Sequence, residues 1–126
     1  MLEKDLHTKV CLFVKATYPN VVFRTDFGAG MPMTIGMARR QKTLQSHSGY
    51  PDLFIAEPKG VYAGLFLELK TETNKVYKKD GTLAANPHHQ EQAKMLEMLR
   101  DRGYMADFAI GYRDAVDKIT DYLESN

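Results

Sequence analysis

The chain is 126 residues long, with 44% hydrophobic and 26% charged residues, a balance that excludes a disordered polypeptide and fits one folded domain spanning residues 1 to 126 rather than two. No apolar run approaches the roughly 20 residues that cross a bilayer, and the amino terminus carries no signal-peptide pattern, so the expected location is the cytoplasm and no membrane partner is expected. The formal net charge of +1 excludes a polycation, so any binding of nucleic acid has to come from the placement of charges.

In chain order, residues 2 to 18 space Leu2, Leu6, Val10, Phe13 and Val14 as one apolar helical stripe, and Pro19 stops it. Cys11 is the single cysteine. It falls within this stripe, and a small hydrophobic role is expected of it. Residues 21 to 25 favour a strand, and Gly28-Ala29-Gly30-Met31-Pro32 breaks it into a loop. A weaker pattern from Met33 to Leu44 allows an irregular helix.

Asp52-Leu53-Phe54-Ile55-Ala56 and Gly64-Leu65-Phe66-Leu67-Glu68-Leu69-Lys70 are compact apolar runs on either side of Glu57-Pro58-Lys59-Gly60, and predict a β-hairpin facing a core. Beyond Lys70 the chain is polar as far as Pro87, a composition that predicts a mobile basic loop with a local turn at Asp80-Gly81. Residues 88 to 102 form the clearest helix, with Ala93, Leu96 and Leu99 on one stripe and Gly103 as its stop. A strand over 104 to 111 and an amphipathic helix over 113 to 123 complete the order. The resulting class is α/β, a mixed central sheet flanked by helices, with no internal repeat.

Chemistry concentrates on the two runs of the hairpin. Glu68 and Lys70 lie two apart in a strand, so both side chains emerge on one face while Leu67 and Leu69 take the other. Asp52 opens the preceding strand, and the hairpin can bring its carboxylate beside Glu68, giving two hard oxygen ligands suited to Mg²⁺ or Mn²⁺, with the Leu69 carbonyl available as a third. Two such carboxylates repel unless a cation intervenes. The bland alternative is a solvent-facing Glu68/Lys70 pair and a turn aspartate after Pro51. His88 and His89 have no Cys or further His at ligand spacing, and His7 and His47 are remote and unpatterned, so a zinc centre is not expected.

The ordered combination of Gly49-Tyr50-Pro51-Asp52-Leu53 and Glu68-Leu69-Lys70 resembles the PD-(D/E)XK nucleases. Glu3 in the first helix, the Leu65 to Lys70 strand, His88-His89-Gln90-Glu91-Gln92 and the late glycine and strand make the chain most similar to their VRR-NUC family, over essentially its whole length. The resemblance implies a restriction-endonuclease-like αβββαβ-type core. It also implies a Mg²⁺ or Mn²⁺ ion held by Asp52, Glu68, the Leu69 carbonyl and Glu3, with Asp5 as a nearby rival to Glu3. Catalysis would rest on Asp52, Glu68, Lys70 and Gln92. Lys70 would orient or help deprotonate the attacking water, and Gln92 would hydrogen-bond near Lys70 or that water, in phosphodiester hydrolysis. Arg24, Arg39, Arg40, Lys42, Tyr50, Lys75, Lys78 and Lys79 are candidate phosphate contacts, although each could equally belong to a solvated face. The implied substrate is DNA, branched, flapped or four-way, cut by a homodimer in a bacterial or virus-infected cell. A nuclease-fold DNA-binding module without activity and an unrelated metal-dependent hydrolase are the competing readings.

Overall fold

The computed structural model describes residues 1–26 and 32–125. The glycine-rich stretch expected to form a loop at 28 to 32 lies outside the described residues except for Pro32. Helix α1 (Glu3–Thr17) is followed by β1 (Phe23–Thr25), α2 (Ile35–Leu44), β2 (Leu53–Ile55), β3 (Leu65–Lys70), α3 (Pro87–Asp101), β4 (Met105–Ile110) and α4 (Gly111–Leu123). This is the mixed α/β order expected from periodicity. The strands form one sheet in the order β1-β2-β3-β4, antiparallel through the first three and parallel between β3 and β4. The parallel pair requires a crossover, which α3 supplies.

All six residues of β3 are buried, as suits a strand covered on both faces. Leu65, Leu67 and Leu69 join Leu6, Val10 and Val14 of α1 and Ala115 and Ile119 of α4 in one core. Phe66 turns the other way, into a second core with Met95, Leu96 and Leu99 of α3 and with Ala106 and Phe108. The apolar stripes of α1 and α4 therefore bury against one face of the sheet and that of α3 against the other. Leu2 departs from the expected stripe: it is the N-cap of α1 and is 64% exposed.

Side-chain caps mark the starts of α3 and α2. The Asn86 side chain accepts from the backbone N–H groups of His88 and His89 at 2.9 and 3.4 Å, and Pro87 takes the first turn of α3. Thr34 caps α2 by accepting from Met37 N–H at 3.1 Å. That helix is regular, although it buries none of its residues.

The expectation of a mobile loop after Lys70 needs correction. Lys78 N–H donates to the Thr82 carbonyl and Ala84 N–H to that of Val76, both at 2.8 Å, and Tyr77 bridges Leu83. The expected turn at Asp80-Gly81 closes this small hairpin, with the Asp80 carboxylate accepting from Thr82 N–H at 3.0 Å. Val76 is 2% exposed within the α3-side core. One buried apolar anchor in a polar run is enough to tie the segment down, and composition alone hides it.

Candidate active site

The candidate site lies where β2 begins and β3 ends. Leu53 pairs with Leu67 in the antiparallel register, and the same register carried one step further sets Asp52 opposite Glu68. Pro51 cannot donate to a ladder, so pairing stops there. Leu69 N–H, left beyond the end of β2, donates instead to Asp52 Oδ2 at 3.0 Å. The Leu69 side chain is fully buried on the α1 and α4 side. Approach to this corner is governed by Gly49, whose φ is +77° and whose Cβ, if it had one, would meet the Glu91 carbonyl oxygen at 3.2 Å. Only glycine lets the segment entering Tyr50-Pro51-Asp52 run so close beneath α3.

Glu68 and Lys70 share the face opposite Leu67 and Leu69, as their spacing predicts, with Lys70 Nζ 3.6 Å from Glu68 Oε1 and both side chains 4% exposed. From α3, Gln92 Nε2 donates to the same Glu68 oxygen at 2.7 Å. The glutamine thus holds the glutamate on the oxygen that Lys70 faces, near the Lys70 side chain. Glu68 Oε2 is buried without a hydrogen-bond partner.

Burial and mutual repulsion act on the two acids together. Burial pushes the Glu68 carboxyl up to about 9, reinforced by the Asp52 charge and opposed by Lys70. Burial also raises Asp52, against the lowering effects of His7, Glu68 and the Leu69 N–H. Each carboxyl group perturbs the other, and two buried acids so placed are compatible only with a proton or a cation between them. Two buried acids, one with an unpartnered oxygen, form a donor set that fits a hard divalent cation in that proton's place.

Glu3, at the start of α1, is exposed but faces this corner, whereas Asp5, equally exposed, joins no metal-capable grouping among the described residues. The expectation that His7 is remote is wrong. One helical turn beyond Glu3, His7 is 7% exposed, with Nε2 3.6 Å from Asp52 Oδ2 and 3.9 Å from Glu3 Oε1. The spacing of Glu3, His7, Val10 and Val14 on one helix face carried that signal. His88 and His89 form no metal group among the described residues.

Above the acids opens a cleft of about 980 Å³ that reaches from Glu3, Asp52, Glu68 and Lys70 to α2. Of the candidate phosphate contacts, Arg24, Lys42 and Tyr50 line it. Arg39, Arg40, Lys75, Lys78 and Lys79 are exposed but outside its walls. Sequence reasoning did not single out Asn74, which lines it too, as do His47 and His88.

No family model matches the sequence, and no curated protein matches it. Among solved structures, one described as a VRR_NUC domain protein superposes on 98% of this chain and 89% of its own, with a TM-score of 0.65 and 28% identity. Agreement of that extent, along nearly the full length of both chains, supports a VRR-NUC family assignment for this chain.

Proposed function

We propose that the protein is a Mg²⁺- or Mn²⁺-dependent endonuclease that hydrolyses DNA phosphodiester bonds, selecting branched, flapped or four-way structures and acting as a homodimer. The observation that carries this reading is the buried pair Asp52 and Glu68, with Lys70 Nζ 3.6 Å from Glu68, at the floor of a cleft large enough for a nucleic-acid strand. Asp52, Glu68, the Leu69 carbonyl and Glu3 are the residues to hold the ion. When bound, a divalent cation lowers the pKa of a water and draws charge from a phosphate oxygen.

The chain's own groups do the rest. Leu69 N–H fixes the Asp52 carboxylate, and Gln92 fixes Glu68. Lys70 places a positive charge beside the reacting phosphate, where it orients the attacking water and offsets negative charge as the phosphorus centre becomes five-bonded. A two-fold dimer would address both symmetric strands of a junction at once. An inactive DNA-binding module is disfavoured by the cost of keeping two acids and a lysine buried together without catalytic return.

The test is cleavage of end-labelled junction, flap and duplex DNA with Mg²⁺, with Mn²⁺ and with chelator. Cutting is expected with either ion, fastest on branched DNA, and is lost with chelator. Persistent cutting in chelator, or failure on every DNA form with both ions, contradicts the proposal.

Arg24 and Lys42 line the cleft while Lys78 lies outside it, which separates their expected effects. Arg24→Ala and Lys42→Ala should each weaken DNA binding and reduce the slope of log affinity against log salt by about 1. Lys78→Ala should leave that slope unchanged. Equal effects from all three, in salt-titrated binding assays, would show that the cleft is not the DNA path.

A further inference from the structure

Among the described residues, one group of three side chains can offer a metal ion one atom each: Glu3, His7 and Asp52, with the three atoms within 4.8 Å of one another. Two are carboxylates. The third is an imidazole that no part of the functional reading above uses.

His7 is 7% exposed, and neither ring nitrogen has a hydrogen-bond partner. A buried polar group left in this state is destabilising, so a ring placed only for packing would be an unfavourable choice over leucine. Its Nε2 faces Asp52 Oδ2 at 3.6 Å and Glu3 Oε1 at 3.9 Å. Both separations are too long for direct hydrogen bonds. They suit a shared ion: ligand atoms about 2.1 Å from an octahedral cation lie roughly 3 Å apart when adjacent and about 4.2 Å apart when opposite. Helix α1 supplies the preorganisation, because Glu3 and His7 are one turn apart on the face that packs toward β3.

Building on the reading of Asp52 as a cation ligand, we infer that His7 Nε2 is a direct ligand of the same ion, shared with Asp52 and Glu3. Imidazole is a ligand of first-row transition ions, whereas Mg²⁺ keeps oxygen ligands and water. His7 therefore tilts the centre toward Mn²⁺ over Mg²⁺.

The experiment adds Mn²⁺ alone to the full chain and reads pulsed electron paramagnetic resonance for nitrogen-14 modulation of the bound ion, with affinity taken from the free-ion signal. Wild type should show the modulation. His7→Ala and the bulkier His7→Gln should lose it, with Mn²⁺ affinity falling about tenfold and Mg²⁺ affinity, from competition, changing far less. Bound Mn²⁺ without nitrogen modulation in wild type overturns the His7 assignment and leaves the carboxylate centre standing. Modulation that survives in both variants overturns it as well, since another histidine of the cleft would then be the source. No Mn²⁺ binding at all overturns both this inference and the metal-dependent reading beneath it. Because the wild-type spectrum decides first, poor folding of a variant does not shield the proposal.

Discussion

Replacing Lys70 by methionine should abolish DNA cleavage, by on the order of a thousandfold, while leaving the protein folded and still able to bind Mn²⁺. Lys70 is 4% exposed at the end of β3, beside Glu68. Methionine keeps much of the lysine stem, so packing is retained, and because Glu68 holds its proton in the metal-free protein, removing the amine leaves no buried carboxylate uncompensated. Thermal unfolding should therefore show a midpoint no lower than wild type. Taking one positive charge away from two carboxylates also favours a cation there. Mn²⁺ affinity should be unchanged or tighter even as cutting disappears. That split separates a charge acting on the reacting phosphate from one that merely neutralises Glu68. Wild-type cutting rates in Lys70→Met, or loss of Mn²⁺ binding together with activity, would contradict the role given to the amine.

The second large effect is on stability. In the folded, metal-free protein Glu68 holds its proton up to about pH 9, and Asp52 is shifted in the same direction, chiefly by burial. In the unfolded chain both lose their protons near the ordinary carboxylate values. Between roughly pH 4.5 and pH 9 the folded state thus binds more protons, and its stability falls as pH rises. His89 pulls weakly the other way, since burial lowers its pKa and favours the neutral ring.

In chelator, the unfolding midpoint should fall from pH 5.5 to pH 8.5. A bound cation takes the place of the protons, so saturating Mn²⁺ should raise the midpoint more at pH 8.5 than at pH 5.5. At a hundred times its Kd the gain is about 2.7 kcal/mol, or roughly 10 °C for a chain of this size. A midpoint in chelator that climbs with pH, or an Mn²⁺ effect that is larger in acid, would show that the acids are not held as described.

How much of this was legible in the sequence differs from residue to residue. The order of elements followed from apolar spacing, because Leu6, Val10 and Val14 on α1 and Leu96 and Leu99 on α3 repeat with the helical period and bury accordingly. The shared face of Glu68 and Lys70 followed from the two-residue period of a strand, and the meeting of Asp52 with Glu68 from antiparallel pairing. Gln92 was found through likeness to a family, since nothing local to α3 reveals that Glu68 lies within 2.7 Å.

His7 escaped because its partners lie 45 residues away at Asp52 and four residues back at Glu3. Ligand spacing between histidines does not mark His7, because the fold pairs it with acids. The 71 to 86 segment escaped for a related reason: its lysines dominate the composition, and Val76, which fastens it, is a single apolar residue among them. Which basic residues face the cleft depends on how α2 lies over the sheet edge, and α2 buries nothing that a sequence pattern could mark.

The central claim is that one cation sits among the acids at the junction of β2 and β3. Anomalous diffraction from crystals equilibrated with Mn²⁺ tests it most directly. A single strong anomalous peak is expected within coordination distance of both the Asp52 and Glu68 carboxylates. A peak elsewhere, or none there at Mn²⁺ concentrations that support DNA cleavage, would contradict it.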